Sequence, residues 1–229
     1  MGNKSCCCSQ AGGEAAEVVA RSALSPDDDN LVKQVYDDGA VYTGQLDGKK
    51  RHGQGEQLWP DGAKYCGQWH EDMAHGLGRF EHTNGDVYEG QMRCDRAHGE
   101  GSYFGSDGLR YEGQWVDDKR HGHAREVWSD GSSFEGDYVD GKRHGTGKFF
   151  WSDGSHYVGD FISNSIHGEG AYKWADGRQF SGQWHNSKMH GQGVFIWADG
   201  RRYEGEYVND MKDGKGTFAW PDGRRYEGQ

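Results

Sequence analysis

The chain has 229 residues and a net charge of −11; only 33% of residues are hydrophobic, while 13% are aromatic and 39 are glycine. That acidic balance argues against a nucleic-acid partner, because duplex and single-strand binders carry a basic surface, and against unaided adsorption on anionic lipid. So little aliphatic content would suit a disordered chain, except that the aromatics recur at fixed offsets.

In chain order, residues 1–35 form a first segment with its own chemistry. Its start is Met1-Gly2-Asn3-Lys4-Ser5-Cys6-Cys7-Cys8. Loss of Met1 would present Gly2 for N-myristoylation, with Cys6, Cys7 and Cys8 beside it as S-palmitoylation acceptors. The usual pattern has Ser or Thr at position 6, whereas here the serine is Ser5. One myristoyl chain holds a bilayer only marginally and two or more acyl chains hold it stably. The expectation is therefore an anchor on the cytoplasmic face of a membrane: plasma, cortical or ciliary. Three adjacent thiols suit a zinc site poorly, since tetrahedral ligands are normally spaced. No secretory signal is evident, so all thiols, including Cys66 and Cys94, are expected to be free. Residues 11–30 read as a flexible tether, whose Asp27-Asp28-Asp29 would be repelled by an anionic leaflet.

Residues 36–229 repeat one sentence. Asp-Gly or Asn-Gly pairs start at Asp38, Asp61, Asn84, Asp107, Asp130, Asp153, Asp176, Asp199 and Asp222, always 23 residues apart. Such a period marks stacked repeats that share one core. Each unit reads as two strands. In Tyr111-Glu112-Gly113-Gln114-Trp115, alternation puts Tyr111, Gly113 and Trp115 on one face; in the second, Gly145, Gly147, Phe149 and Trp151 share a face. The Asp-Gly pair is expected to make a tight two-residue hairpin turn, and Asp140-Gly141-Lys142-Arg143-His144 a polar loop. Columns of glycine should let rings lie flat on the backbone. The predicted fold is all-β: an elongated, single-layer antiparallel meander of hairpins, eight to nine repeats long, rising ~10 Å per repeat.

The unit Tyr-Glu-Gly-Gln-Trp, loop, His-Gly-x-Gly-x-Phe-x-Trp, Asp-Gly resembles the MORN repeat (membrane occupation and recognition nexus). The resemblance covers residues 36–229. It implies a twisted sheet of successive hairpins with a groove along one face, acting as a scaffold. Family members bind helical segments of partners, associate with phosphoinositide-containing membranes, or dimerise end to end. Copies depart from the pattern at His82, Gly105, Ala124, Glu126, Asp213 and Asn164-Ser165-Ile166. The chain stops mid-strand at Tyr226-Glu227-Gly228-Gln229, an edge expected to meet a partner or a second copy unless the chain is truncated.

Sites of chemistry are weighed on the same frame. His52, His75, His98, His121, His144, His167 and His190 form a His-Gly column, but neighbours ~10 Å apart cannot share an ion bonded at ~2 Å; no metal or cofactor is expected. His70-Glu71-Asp72-Met73-Ala74-His75 lacks zincin spacing, and Gly214-Lys215-Gly216-Thr217 lacks the lead of a phosphate loop. No residue is expected to be catalytic. Tyr88, Tyr111, Trp115, Tyr157, Trp184 and Tyr203 are expected to line a groove for a partner helix or a second copy. Lys50, Arg51, Lys119, Arg120, Lys142 and Arg143 could meet lipid headgroups. The resulting expectation is a non-catalytic, membrane-anchored scaffold; the alternatives are a phosphoinositide-binding tether or an enzyme's regulatory subunit.

Overall fold

The computed structural model describes residues 31–229. Gly2, Cys6, Cys7 and Cys8 lie outside the described residues. Those described form 18 antiparallel strands of one open sheet, with no helix among them. The strands are β1 (Val32–Val35), β2 (Val41–Asp47), β3 (Lys50–Leu58), β4 (Lys64–His70), β5 (Met73–Glu81), β6 (Val87–Arg93), β7 (Arg96–Phe104), β8 (Arg110–Val116) and β9 (Lys119–Val127). The series continues with β10 (Ser133–Val139), β11 (Lys142–Phe150), β12 (His156–Ile162), β13 (Ser165–Lys173), β14 (Gln179–His185), β15 (Lys188–Ile196), β16 (Arg202–Val208), β17 (Met211–Ala219) and β18 (Arg225–Gly228). The chain divides into two compact units: one runs to Ser106 and takes in Trp115–Asp118, the other holds Asp107–Gln114 and Lys119–Gln229. In the first, β1 to β7 pair each with the next; in the second, β9 to β18 do the same. The predicted hairpin meander is therefore present.

The two kinds of turn are the reverse of the sequence expectation. Around Asp61-Gly62 the loop has three residues, Pro60 to Gly62. Gly62 N–H donates to Trp59 C=O (3.0 Å), Trp59 N–H to Ala63 C=O (2.9 Å), and Gly62 sits at φ 93°. This is a hairpin loop ending in a left-handed glycine, with Pro60 in the position its fixed φ suits. Asp61 Oδ1 accepts Ala63 N–H at 3.0 Å. The two-residue turn lies at the other end of the hairpin, at Glu71-Asp72, where φ is 51° and 68°. Both residues take the positive φ that a type I′ turn requires, here without a glycine.

The left-handed conformation of non-glycine residues costs energy, and inter-repeat bonds offset it. Asp72 N–H donates to Arg51 C=O (3.0 Å) while Arg51 N–H donates to Asp72 Oδ1 (2.8 Å). Asp95 grips Ala74, Asn164 grips Arg143 and Asp210 grips Met189 in the same way. Each turn thus clips the preceding repeat.

The His-Gly pair has a structural reason. Gly67 faces Gly78 and Trp69 faces Ala74, so Gln68 alone opposes His75, Gly76 and Leu77. This bulge strips Leu77 N–H of its ladder partner, and the Gln68 side-chain Oε1 takes its place at 2.9 Å. Gly76, at φ 64°, has no room for a Cβ, which would lie 2.9 Å from Gln68 Cδ.

Candidate binding surface

The rings are sorted into two tiers. In the inner tier, each first-strand Tyr or Phe lies on the glycines two residues along its own strand and opposite. A Cβ at Gly78 would come 2.6 Å from Tyr65 Cζ. Tyr65 Oη donates to Gln68 C=O at 3.0 Å, which fixes the ring. Trp69 stands edge-on between Tyr42 (5.7 Å, 86°) and Tyr65 (5.0 Å, 90°), and its Nε1 donates to Gly55 C=O at 3.0 Å. Trp184 repeats this between Tyr157 and Phe180, bonded to Gly170 C=O at 3.1 Å. Such T-shaped pairs add to area burial.

The six residues expected to line a partner groove are all in this tier. Tyr88, Tyr111, Trp115, Tyr157, Trp184 and Tyr203 are 0–8% exposed. They are rungs of the core, filled by their neighbours' rings. The glycine columns do accept rings from the neighbouring strand as expected, each first-strand ring lying chiefly over the glycine of the second strand it faces.

The outer tier comes from the second strands and the residue after them, and its rings are half-buried except Phe149 and Phe195, which are buried. In the second unit its rings form an unbroken series: Trp128, Phe149, Trp151, Tyr172, Trp174, Phe195, Trp197, Phe218, Trp220, with successive centroids 4.4–5.4 Å apart. Arg178, Arg201 and Arg224 lie over Trp174, Trp197 and Trp220 at 5.3–5.5 Å. The first unit has a shorter run, Trp59–Phe80–His82. The sequence signal for this tier was the strand-ending Trp, noted as a motif but not as a surface.

Departures from the repeat pattern are compensated locally. Where Glu126 replaces the ring, it is 3% exposed, contacts Arg120 Nη1, and accepts the Tyr138 hydroxyl at 2.6 Å. Burial first, then this bond, raises the Tyr138 pKa. Where Gly105 replaces Trp, Asp86 accepts Ser106 N–H (2.9 Å) and the Tyr103 hydroxyl (2.6 Å). These bonds, Ser106 N–H foremost, hold its carboxyl well below the usual range.

The six basic residues expected to meet lipid separate by alternation. Arg51 lies 4.1 Å from the Trp69 ring centroid, Arg120 5.0 Å from Tyr111, and Arg143 5.0 Å from Phe149. Lys50 is paired with Glu71, and Lys119 with Asp140 at 3.6 Å. Lys142 is exposed. The arginines thus pack on the ring face and the lysines point away.

The histidine column is closer than its period implies. His70 stands between His52 and His75, at ring-centroid distances of 5.1 and 5.8 Å, and His185 stands likewise between His167 and His190, at 4.9 and 5.7 Å. The sequence reading measured only the His-Gly column and missed the intervening rings. Desolvation, with the neighbouring His70 and Arg93 charges, lowers the His75 pKa. Cys66 in β4 is outside any disulfide, as expected; Cys94 is disulfide-bonded, which departs from that expectation.

A search among curated proteins finds no match. Among solved structures, the TCP domain of SAS-4 (dCPAP) of Drosophila melanogaster, in complex with a proline-rich motif of Ana2 (dSTIL), is 12% identical with a TM-score of 0.36, over 94% of this chain and 98% of that one. The TCP10 domain of Danio rerio CPAP is 12% identical with a TM-score of 0.25, over 89% and 92%. Likenesses at this level say nothing of function. The MORN-repeat family model matches eight successive segments: 42–64, 65–87, 88–110, 111–133, 134–156, 157–177, 180–201 and 203–224. With most of its length so matched, and with a hairpin meander to carry the repeats, the chain belongs to the MORN-repeat family.

Proposed function

We propose that this chain is a non-catalytic scaffold, anchored by acyl chains at Gly2 and Cys6–Cys8 to the cytoplasmic face of a membrane, which presents its repeats to a protein partner. The observation that carries the partner half is the outer ring tier. The inner rings are consumed by self-packing, whereas the tryptophans from Trp128 to Trp220, with Tyr172 and Phe218, stay half-buried in an aromatic series across successive repeats, with arginines at its margin. Large patches of that kind mark interaction surfaces, and rigid aromatics with Arg are the residues that anchor protein partners. A helix laid across the repeats or a second repeat chain has the matching chemistry. The anchoring half rests on the two-signal logic of acylation.

Fluorescent fusions of the wild type, Gly2→Ala and Cys6/Cys7/Cys8→Ser test the anchor. The wild type is expected at a membrane, Gly2→Ala in the soluble pool, and the triple serine variant on membranes only transiently. Identical distributions of all three would remove the anchor. Separately, Trp174→Ala with Trp197→Ala is expected to release a bound partner without moving the fusion from its membrane.

A further inference from the structure

We propose that Asp47, His52 and Glu71 form a binding site for a divalent transition metal such as Zn²⁺, at the junction of the first two repeats. One ligand atom from each lies within 4.8 Å of the other two. Asp47 ends β2, His52 lies in β3, and Glu71 opens the turn between β4 and β5. The fold brings them together: the β2–β3 turn puts Asp47 near His52, and the inter-repeat clip between Asp72 and Arg51 holds Glu71 beside both.

The donor set has the right chemistry. Imidazole and carboxylate oxygen are both zinc ligands, at about 2.0–2.2 Å. A tetrahedral ion with those bonds needs its donors roughly 3.3–3.5 Å apart, so side-chain rotation closes the site without moving the sheet. The carboxylates lie on the rim, Asp47 exposed and Glu71 part-exposed and held by Lys50. His52 Nδ1 is buried with no hydrogen-bond partner, as is Nδ1 of His98 and His190, so the ring has a nitrogen that the fold does not use and the two carboxylates are what set this copy apart.

The repeat supplies its own comparison. The same three positions two repeats on are Arg93, His98 and Asp117. There the guanidinium fills the place of a cation, with Arg93 Nη2 at 3.3 Å and His98 Nδ1 at 3.8 Å from Asp117 Oδ1. In the first repeat, carboxylates stand at both acidic positions, and the local cation is the Lys50 ammonium on Glu71. Lys50 is on a flexible, half-exposed stem, so a metal ion would displace it. A metal site therefore predicts that removing Lys50 tightens binding, which chance association with surface imidazoles does not.

The test is titration of the tag-free, chelator-treated full chain with Zn²⁺ by calorimetry, and with Co²⁺ by visible absorption. One saturable equivalent is expected, with Co²⁺ bands of low coordination number and without the thiolate-to-cobalt charge transfer that Cys6–Cys8 would give. Glu71→Gln, Asp47→Asn and His52→Ala should each weaken binding at least about tenfold, since even outer-shell losses cost that much. The two carboxylate variants lie on exposed rims, so their folding is not at issue. Lys50→Ala should tighten binding, and His185→Ala should leave it unchanged. No saturable binding, binding indifferent to Glu71→Gln and Asp47→Asn, a thiolate band, loss in His185→Ala, or no gain in Lys50→Ala would each overturn the proposal.

Discussion

Gly78→Ala tests the packing on which every repeat depends. A Cβ there would lie 2.6 Å from both Cε2 and Cζ of Tyr65. That ring is 1% exposed, stands edge-on to Trp69 at 5.0 Å, and is tied through its hydroxyl to Gln68 C=O at 3.0 Å. It cannot swing aside without breaking one of these. Overpacking a tight core costs about 1–3 kcal/mol, and stranding a buried hydroxyl about 1–3 more. The expected loss is thus about 2–6 kcal/mol. Gly62→Ala is the control, because Gly62 has φ 93° and no atom within 4 Å of its would-be Cβ. It should cost only the left-handed strain of about 1–2 kcal/mol. Repeat arrays lose two-state cooperativity, so urea denaturation of the full chain is to be read beside amide exchange in β4 and β5. Tyr65→Ala alone should cost about 3–5 kcal/mol, yet the double variant should cost less than the two losses together, with a coupling of about 1–3 kcal/mol. Additive losses, or Gly78→Ala no worse than Gly62→Ala, would refute ring-on-glycine packing as the source of stability.

Further outcomes follow from the same geometry. Asp95→Ala removes the acceptor of the buried Ala74 N–H (2.7 Å) and puts alanine at φ 65°; it should cost about 2–4 kcal/mol. Asp95→Asn keeps the acceptor and should stay within about 1 kcal/mol of wild type, with Ala74 amide exchange separating the two; equal rates would discard the clip. Gln68→Ala should speed exchange at Leu77 selectively, at a cost of about 0.5–1.5 kcal/mol, since that amide loses its only side-chain acceptor beside water. Burial pushes the Tyr42 hydroxyl from 10.0 up to about 12, and the Tyr65 and Tyr157 hydroxyls further the same way. The folded state thus holds these protons more tightly than the unfolded chain. Their contribution is complete below about pH 10 and is lost as pH climbs toward about 12. The urea midpoint should fall across that window, with tyrosinate absorbance rising as the sheet opens; a midpoint that stays level there would show that the tyrosines titrate while packed.

The period, the all-β class and the ring-over-glycine device were legible because they depend on short-range spacing: Tyr65 reaches Gly67 and Gly78 by strand geometry alone. The turn types were not. Asp-Gly is the strongest sequence signal for a two-residue turn, yet here the left-handed pair is Glu71-Asp72, stabilised by bonds to Arg51 one repeat away. A local pattern cannot report a long-range clip. The division of the rings was hidden for another reason. Alternation assigns Tyr157, Trp184, Phe149 and Trp151 to one face, but their rank in burial depends on distance from the glycine columns across the sheet. His70 comes to lie beside His52 through the regular β3–β4 register, in which Gly53 faces Trp69, a cross-strand contact that a period counted along the chain does not show.

Comparing the chain with itself separates what the fold requires from what it leaves open. The first-strand ring is Tyr or Phe from Tyr42 to Tyr226, and every copy of the glycine two residues after it is retained, because a Cβ there would meet the backbone of the facing strand; the facing glycine gives way once, to Ala124. The rung two residues later runs Trp69, Met92, Trp115, Tyr138, Phe161, Trp184, Tyr207; an edge-on partner tolerates many shapes. Variation is widest at the strand end and the turn after it: Asp47, His70, Arg93, Val116 in one column, and Glu71, Cys94, Asp117, Asp140 in the other. These positions touch solvent and the next repeat's turn, and the backbone demands little of them. Chemistry that distinguishes one repeat from another has room only there and along the outer rings, so the metal cluster at Asp47, His52 and Glu71 and the partner surface from Trp128 to Trp220 fall where the fold leaves the side chains unspent.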